Sequence, residues 1–117
     1  MNWQARVSTW LRIVFTEAEL SDVSERALRA VEEVVELAQA CRVDCGSVHR
    51  LVDYVYSRPV GEAPREIAGS FVTLYAVAEA LRVHVDAELA AEVQRINRPE
   101  VIARMLIRLT PKTPEDA

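Results

Sequence analysis

Apolar residues recur at three- and four-residue steps along most of this chain, the spacing that lays one stripe along an α-helix. Over residues 2–16 the stripe is Trp3, Val7, Trp10, Leu11, Val14 and Phe15, which predicts a helix with one buried face. In residues 21–41, Asp22 and Glu25 stand at the spacing of a capping box, and Leu28, Val31, Val35 and Ala38 form the core stripe of a long helix. Gly46 is then expected to break the pattern. Ser47 restarts it as a cap for Val48, Leu51, Val52 and Val55, before Pro59, Gly61 and Pro64 close the segment. Pro64 suits the first turn of the next helix, which runs to about Val83 with Ile67, Phe71, Leu74, Ala78 and Leu81 on one face. Asp86 can cap "AELAAEVQRI", and Pro99 can open "PEVIARMLIRL". No period-two alternation is long enough for a strand, and no glycine-rich phosphate loop is present. The expected architecture is all-α: a helical bundle of four to five helices in a single domain over residues 1–110. The apolar-poor "TPKTPEDA" leaves a flexible tail at 111–117.

A chain of 117 residues suffices for one core and is too short for two. With 14 basic and 18 acidic residues the net charge is −4, which argues against nonspecific binding of nucleic acid. No stretch approaches 18 apolar residues, so no membrane partner is expected. The N-terminal segment lacks the apolar core and cleavage site of a secretion signal. Cys41 and Cys45 are too few for a disulfide framework and fit a reducing compartment. The expected location is cytoplasmic.

The candidate chemistry lies in "AVEEVVELAQA". At about 100° per residue, Glu32, Glu36 and Glu33 fall within a sector of about 100°, flanked by apolar residues. A solvated helix face is the plain alternative. Against it, Glu32 and Glu36 form a like-charge pair four residues apart, and neither has Lys or Arg four residues downstream. Closely spaced carboxylates suit a hard divalent cation such as Mg²⁺, which takes oxygen ligands and leaves positions for water and phosphate. A further carboxylate must come from another helix, and Glu66 is the candidate, expected to face Glu32 and Glu36. With Ser70 and Thr73 it makes a thin polar strip on an otherwise apolar helix. Gly69 in that helix costs up to about 1 kcal/mol relative to Ala and calls for a reason, either close helix packing or clearance for a ligand.

"VEEVVELAQA" resembles the Glu-Glu-x-x-Glu helix of the all-α nucleoside triphosphate pyrophosphohydrolases, the MazG-like and phosphoribosyl-ATP pyrophosphatase-like superfamily. "REIAGSFVTLYAVAEALRVHVDAELAAEVQRIN" is similar to its following helix pair, so the resemblance covers residues from about 24 to 98. "LVDYVYSRPVGEAPREIAGSFVTL" and "WQARVSTWL" are similar to a small phage and bacterial branch. The resemblance implies a Mg²⁺-dependent enzyme, with Mn²⁺ as a substitute, that hydrolyses a nucleoside or deoxynucleoside triphosphate to monophosphate and pyrophosphate. Glu32, Glu33, Glu36 and Glu66 would be the metal ligands, one glutamate orienting the attacking water. Where the superfamily carries the aspartate of Glu-x-x-Asp, this chain has Gly69, so one site carboxylate is missing. Asp53 or Glu62 are substitutes, each more simply read as a surface charge. A catalytically silent relative, a nucleotide-binding or oligomeric scaffold, is the alternative that Gly69 supports.

Phosphates also need cations. Arg95, Arg98, Arg104, Arg108 and Lys112 cluster in the last quarter of the chain, where Glu100 is the only acid among them. The resemblance makes Arg95, Asn97 and Arg98 substrate-binding candidates; snorkelling arginines around a terminal helix are the simpler reading of each. Cys41, Cys45, His49 and Asp53 form a ladder of possible zinc ligands, but Gly46 interrupts it and a straight ladder spans too far for a tetrahedral ion. Cys41 reads as a small core residue. A DNA-binding helical regulator finds no recognition helix. Trp3, Trp10, Phe15 and "MLIRL" present apolar stripes larger than one small bundle covers, which predicts a homodimer or homotetramer.

Overall fold

The computed structural model describes residues 2–107, which hold seven α-helices and no strand. These are α1 (Trp3–Val14), α2 (Glu17–Leu20), α3 (Val23–Ala40), α4 (Cys45–Tyr56), α5 (Ala63–Leu81), α6 (Val85–Ile96) and α7 (Pro99–Ile107). The class is all-α as expected, with more helices than the four or five anticipated. The 111–117 tail, Arg108 and Lys112 lie outside the described residues.

Side-chain caps decide where the helices begin. The Asn2 side chain accepts from the Ala5 amide at 3.0 Å and opens α1. The single turn α2, not foreseen from the apolar pattern, is made by a reciprocal capping box. Thr16 Oγ1 accepts from the Glu19 amide at 3.2 Å, and the Glu19 carboxylate accepts from the Thr16 amide at 2.8 Å. That bond from the Thr16 backbone, and then hydrogen bonding from the Thr16 hydroxyl to the carboxylate, holds the Glu19 carboxyl below its ordinary range. Asp22 accepts from the Glu25 amide at 3.2 Å, as its spacing implies, while the Glu25 side chain pairs with Arg29 at 3.0 Å.

The expected break at Gly46 is displaced. Asp44 is the cap of α4, its carboxylate accepting from the Ser47 hydroxyl at 2.6 Å and the Ser47 amide at 3.0 Å. The helix therefore starts at Cys45 and carries Gly46 in its first turn, where a capped end tolerates it. At the other boundaries Pro64 lies in the first turn of α5 and Pro99 opens α7, as their fixed φ favours. Asp86 stands within the first turn of α6 rather than ahead of it.

Two helices end in the same way. "AQACRV" and "AEALRV" close α3 and α5, and in each the arginine takes a left-handed conformation, Arg42 at φ 65° and Arg82 at φ 58°. The Val43 amide donates to the Ala38 carbonyl at 3.0 Å and the Val83 amide to the Ala78 carbonyl at 2.9 Å. The arginine amides reach Gln39 and Glu79. Both are complete Schellman turns with arginine where glycine is usual.

The described residues divide into two compact units, residues 2–30 with 86–107 and residues 31–85. In the first, α1 packs on α2 and α7, and Val14, Val93 and Val101 are the buried core at 2%, 3% and 8% exposure. Trp10 donates its indole N–H to the Ile96 carbonyl at 2.8 Å and meets Phe15 edge-on at 6.4 Å. The Arg26 guanidinium lies 4.3 Å from the Phe15 ring centroid. Trp3, Trp10 and Phe15 are therefore half-buried within this unit, rather than the exposed stripe their size suggested. In the second unit, which holds α4, α5 and the end of α3, no residue is buried.

Three measurements follow. Trp10→Phe keeps the ring but removes the donor to Ile96, so stability in urea should fall by about 1 kcal/mol; an unchanged midpoint contradicts the bond. Arg82→Gly relieves a left-handed L-residue and should raise stability by about 1 kcal/mol, whereas a loss would mean that the arginine side chain holds the turn. The Asp44 carboxyl is held low chiefly by the Ser47 hydroxyl and then the Ser47 amide, so its folded pKa lies below its unfolded one. The cap's stabilising effect is then present above the unfolded value and lost as pH falls below about 4, through the folded value. Asp44→Asn keeps a cap without a charge, and its melting temperature should lose less than the wild type's on acidification; parallel losses would exclude Asp44 as the titrating group.

Candidate functional site

The α3 helix runs without interruption from Val23 to Ala40, so Glu32, Glu33 and Glu36 occupy successive turns of one regular helix, all exposed. Of the two arginines upstream, Arg26 stacks on Phe15 and Arg29 pairs with Glu25. The rest of this helix segment does not behave as a packed amphipathic helix. Val31, Val34 and Val35 are exposed alongside the glutamates, at 54%, 48% and 42%. A solvated acidic face opposite a buried apolar one therefore does not describe the segment as it stands in one chain.

Glu66 lies in the first turn of α5, and its side chain lies against the loop before that helix. A Cβ added to Gly61 would stand 3.2 Å from the Glu66 Cδ and 3.4 Å from its Oε1. The strip beyond it is satisfied locally. The Ser70 hydroxyl donates to the Glu66 carbonyl at 2.8 Å and the Thr73 hydroxyl to the Ser70 carbonyl at 2.9 Å, the backward bonding usual for hydroxyls inside helices. Gly69 has open space around it: among the described residues nothing lies within 4 Å of a Cβ added there, so no contact among them requires the glycine. Asp53 is on α4, and Glu62 precedes α5 without a cap bond; both are exposed.

A Mg²⁺ ion needs its carboxylates within a few ångströms of one another. Among the described residues no three His, Cys, Asp or Glu side chains are grouped to hold a metal ion. Glu32, Glu33 and Glu36 thus supply the donor type and the helical spacing, and the side-chain positions do not form the closed set. The zinc ladder is divided by the turn between Ala40 and Cys45. Cys41 lies exposed in that turn instead of in a core, because α3 has already ended, and Cys45 is exposed as well.

The substrate-binding candidates belong to the first unit. Arg95 makes a two-point bond to Glu92, at 2.8 and 2.9 Å, which depresses the Glu92 carboxyl. Asn97 donates its amide to the Val93 carbonyl at 2.8 Å and so caps the end of α6. The Arg98 carbonyl accepts from the Val101 and Ile102 amides and begins α7. Structural work thus accounts for the Arg95–Glu92 pairing, the Asn97 side chain and the Arg98 backbone; the Arg98 and Arg104 side chains are exposed. The cap roles of Asn97 and Arg98 were readable from their place between two helical runs, ahead of Pro99.

Comparison with protein-family models, with curated proteins and with solved structures finds no match to this chain. No helix among the described residues is long and apolar enough to cross a membrane.

If the glutamates repel one another along α3, Glu36→Gln should stabilise the metal-free protein by about 0.3 kcal/mol, the usual size of a like-charge pair at this spacing. A calorimetric decrease would mean that the Glu36 charge makes a favourable contact.

Proposed function

We propose that the chain is a Mg²⁺-dependent nucleoside triphosphate pyrophosphohydrolase of the MazG-like, all-α kind, active as a homodimer or homotetramer. The observation that carries this reading is the Glu-Glu-x-x-Glu spacing on the uninterrupted α3, with three exposed carboxylates. Glu32, Glu33 and Glu36, with Glu66 of α5, would supply oxygen ligands for Mg²⁺ or Mn²⁺. Such an ion, when bound, draws charge from a triphosphate and lowers the pKa of water. One of the glutamates orients the water that attacks the α-phosphorus, and the bond to the pyrophosphate leaving group breaks. Arg95, Asn97 and Arg98 are the proposed phosphate contacts, for which Arg95 must exchange its bond to Glu92.

Gly69 favours a second reading. It stands where the resembled family has a site aspartate, and a chain without that carboxylate suits a silent nucleotide-binding or scaffold protein. A panel of ribo- and deoxyribonucleoside triphosphates with Mg²⁺ or Mn²⁺ separates the two. Pyrophosphate and monophosphate are the expected products; orthophosphate would point to other chemistry, and no turnover across the panel would favour the scaffold.

Metal binding is tested apart from turnover. A ligand that binds only the folded state stabilises by RT ln(1 + [L]/Kd), so millimolar Mg²⁺ should raise the melting temperature of the wild type and of Glu79→Gln. Glu36→Gln should lose most of that rise. Identical responses of the two variants would remove the metal site.

A further inference from the structure

Stabilising contacts are unevenly placed along this chain. Among the described residues the more extensive helix packings, α1 on α7 and α1 on α2, belong to the first unit. So do the buried Val14, Val93 and Val101, and the Trp10 bond to Ile96, which joins residues far apart in sequence. In the second unit, the bonds at the Asp44 cap, at the two left-handed turns and at the Ser70 and Thr73 hydroxyls join residues five or fewer positions apart. Bonds between such near neighbours form individual helices and turns, not tertiary structure, and no residue of that unit is buried. Helices of 12 and 19 residues are marginal in water without packing, and α5 carries Gly69 in its interior as well. Opening such a segment costs little, whereas a helix in a packed core opens only with that core.

We propose that residues 31–85 form a conformational switch, opening and closing as one step while the first unit stays folded. The chain topology allows it. The first unit is built from both ends of the chain, and its core, its ring contacts and its long-range bond draw on no residue between 31 and 85. With the middle open, the two ends are still held by α1 against α7, and the entropic cost of spanning them with a disordered loop rises only slowly with its length. The start of α3 stays behind with the first unit, where Arg26 stacks on Phe15 and Glu25 pairs with Arg29. On the metal reading proposed above, the opening segment also holds Glu32, Glu33, Glu36 and Glu66. A cation bound among them then favours the closed form by mass action.

Two intrinsic probes report the two parts of the full-length chain. Residues 31–85 hold about half of the helical residues, and both tryptophans, Trp3 and Trp10, lie half-buried in the first unit. In metal-free buffer at low chain concentration, urea should remove about half of the far-UV ellipticity before the tryptophan emission shifts. Coincident transitions by the two probes are the mark of one cooperative unit and would overturn the proposal. Gly69→Ala raises helix propensity where the added methyl meets nothing, so it should move the ellipticity step to higher urea and leave the tryptophan midpoint in place. Val101→Ala leaves a hole in the core of the first unit and should lower the tryptophan midpoint alone. Either variant moving both transitions together would likewise overturn the switch. Millimolar Mg²⁺ should raise the ellipticity midpoint only. Two separate transitions that Mg²⁺ does not move would uphold the independent opening and count against the metal site, so the two readings fail separately.

Discussion

The constraint on which the rest of this structure depends is the burial of apolar helix surface. Three valines, Val14, Val93 and Val101, form the buried core among the described residues, and all lie in the unit built from the two ends of the chain. Around them Trp10, Phe15 and Arg26 close the packing with an indole hydrogen bond, an edge-on ring contact and a stacked guanidinium. The middle of the chain has well-made helices and no core. Helices of 12 and 19 residues draw most of their stability from tertiary packing of their apolar faces. On α4 and α5 ten large apolar side chains remain exposed.

The same constraint bears on the carboxylates. Glu32, Glu33, Glu36 and Glu66 all belong to the unit without a core. A metal site needs ligands held to within a fraction of an ångström by packed neighbours, and here Glu32, Glu33, Glu36 and Glu66 are all exposed. In the proposed oligomer, covering the apolar faces would fix the positions of the glutamates. The first unit already has its polar groups committed, with Arg95 to Glu92 and Asn97 to the end of α6.

Helix type and approximate position were legible in the sequence, because a 3.6-residue period, Pro64, Pro99 and Asp22 act locally. The details that the pattern missed are side-chain caps. Asp44 outweighs the breaking tendency of Gly46, and Thr16 with Glu19 makes a turn too short to show a period. The arginines at left-handed positions were not legible either, since that geometry is normally signalled by glycine. Apolar periodicity identified which faces need covering but not what covers them: Trp3 and Trp10 are covered within their unit, whereas Phe71 and Val72 are not. For the candidate site, the glutamate spacing was readable. The local bonding of Ser70 and Thr73, and the position of Glu66 against Gly61, were not.

The most direct test of this account is hydrogen exchange of the backbone amides, compared between α5 and α1 over a range of protein concentrations. Amides of an uncovered helix open locally with little cost, and those of a packed helix open only with its unit. Protection across residues 67–78 should rise with concentration while protection of α1 stays constant. Equal and concentration-independent protection of both helices would contradict the proposed homodimer or homotetramer.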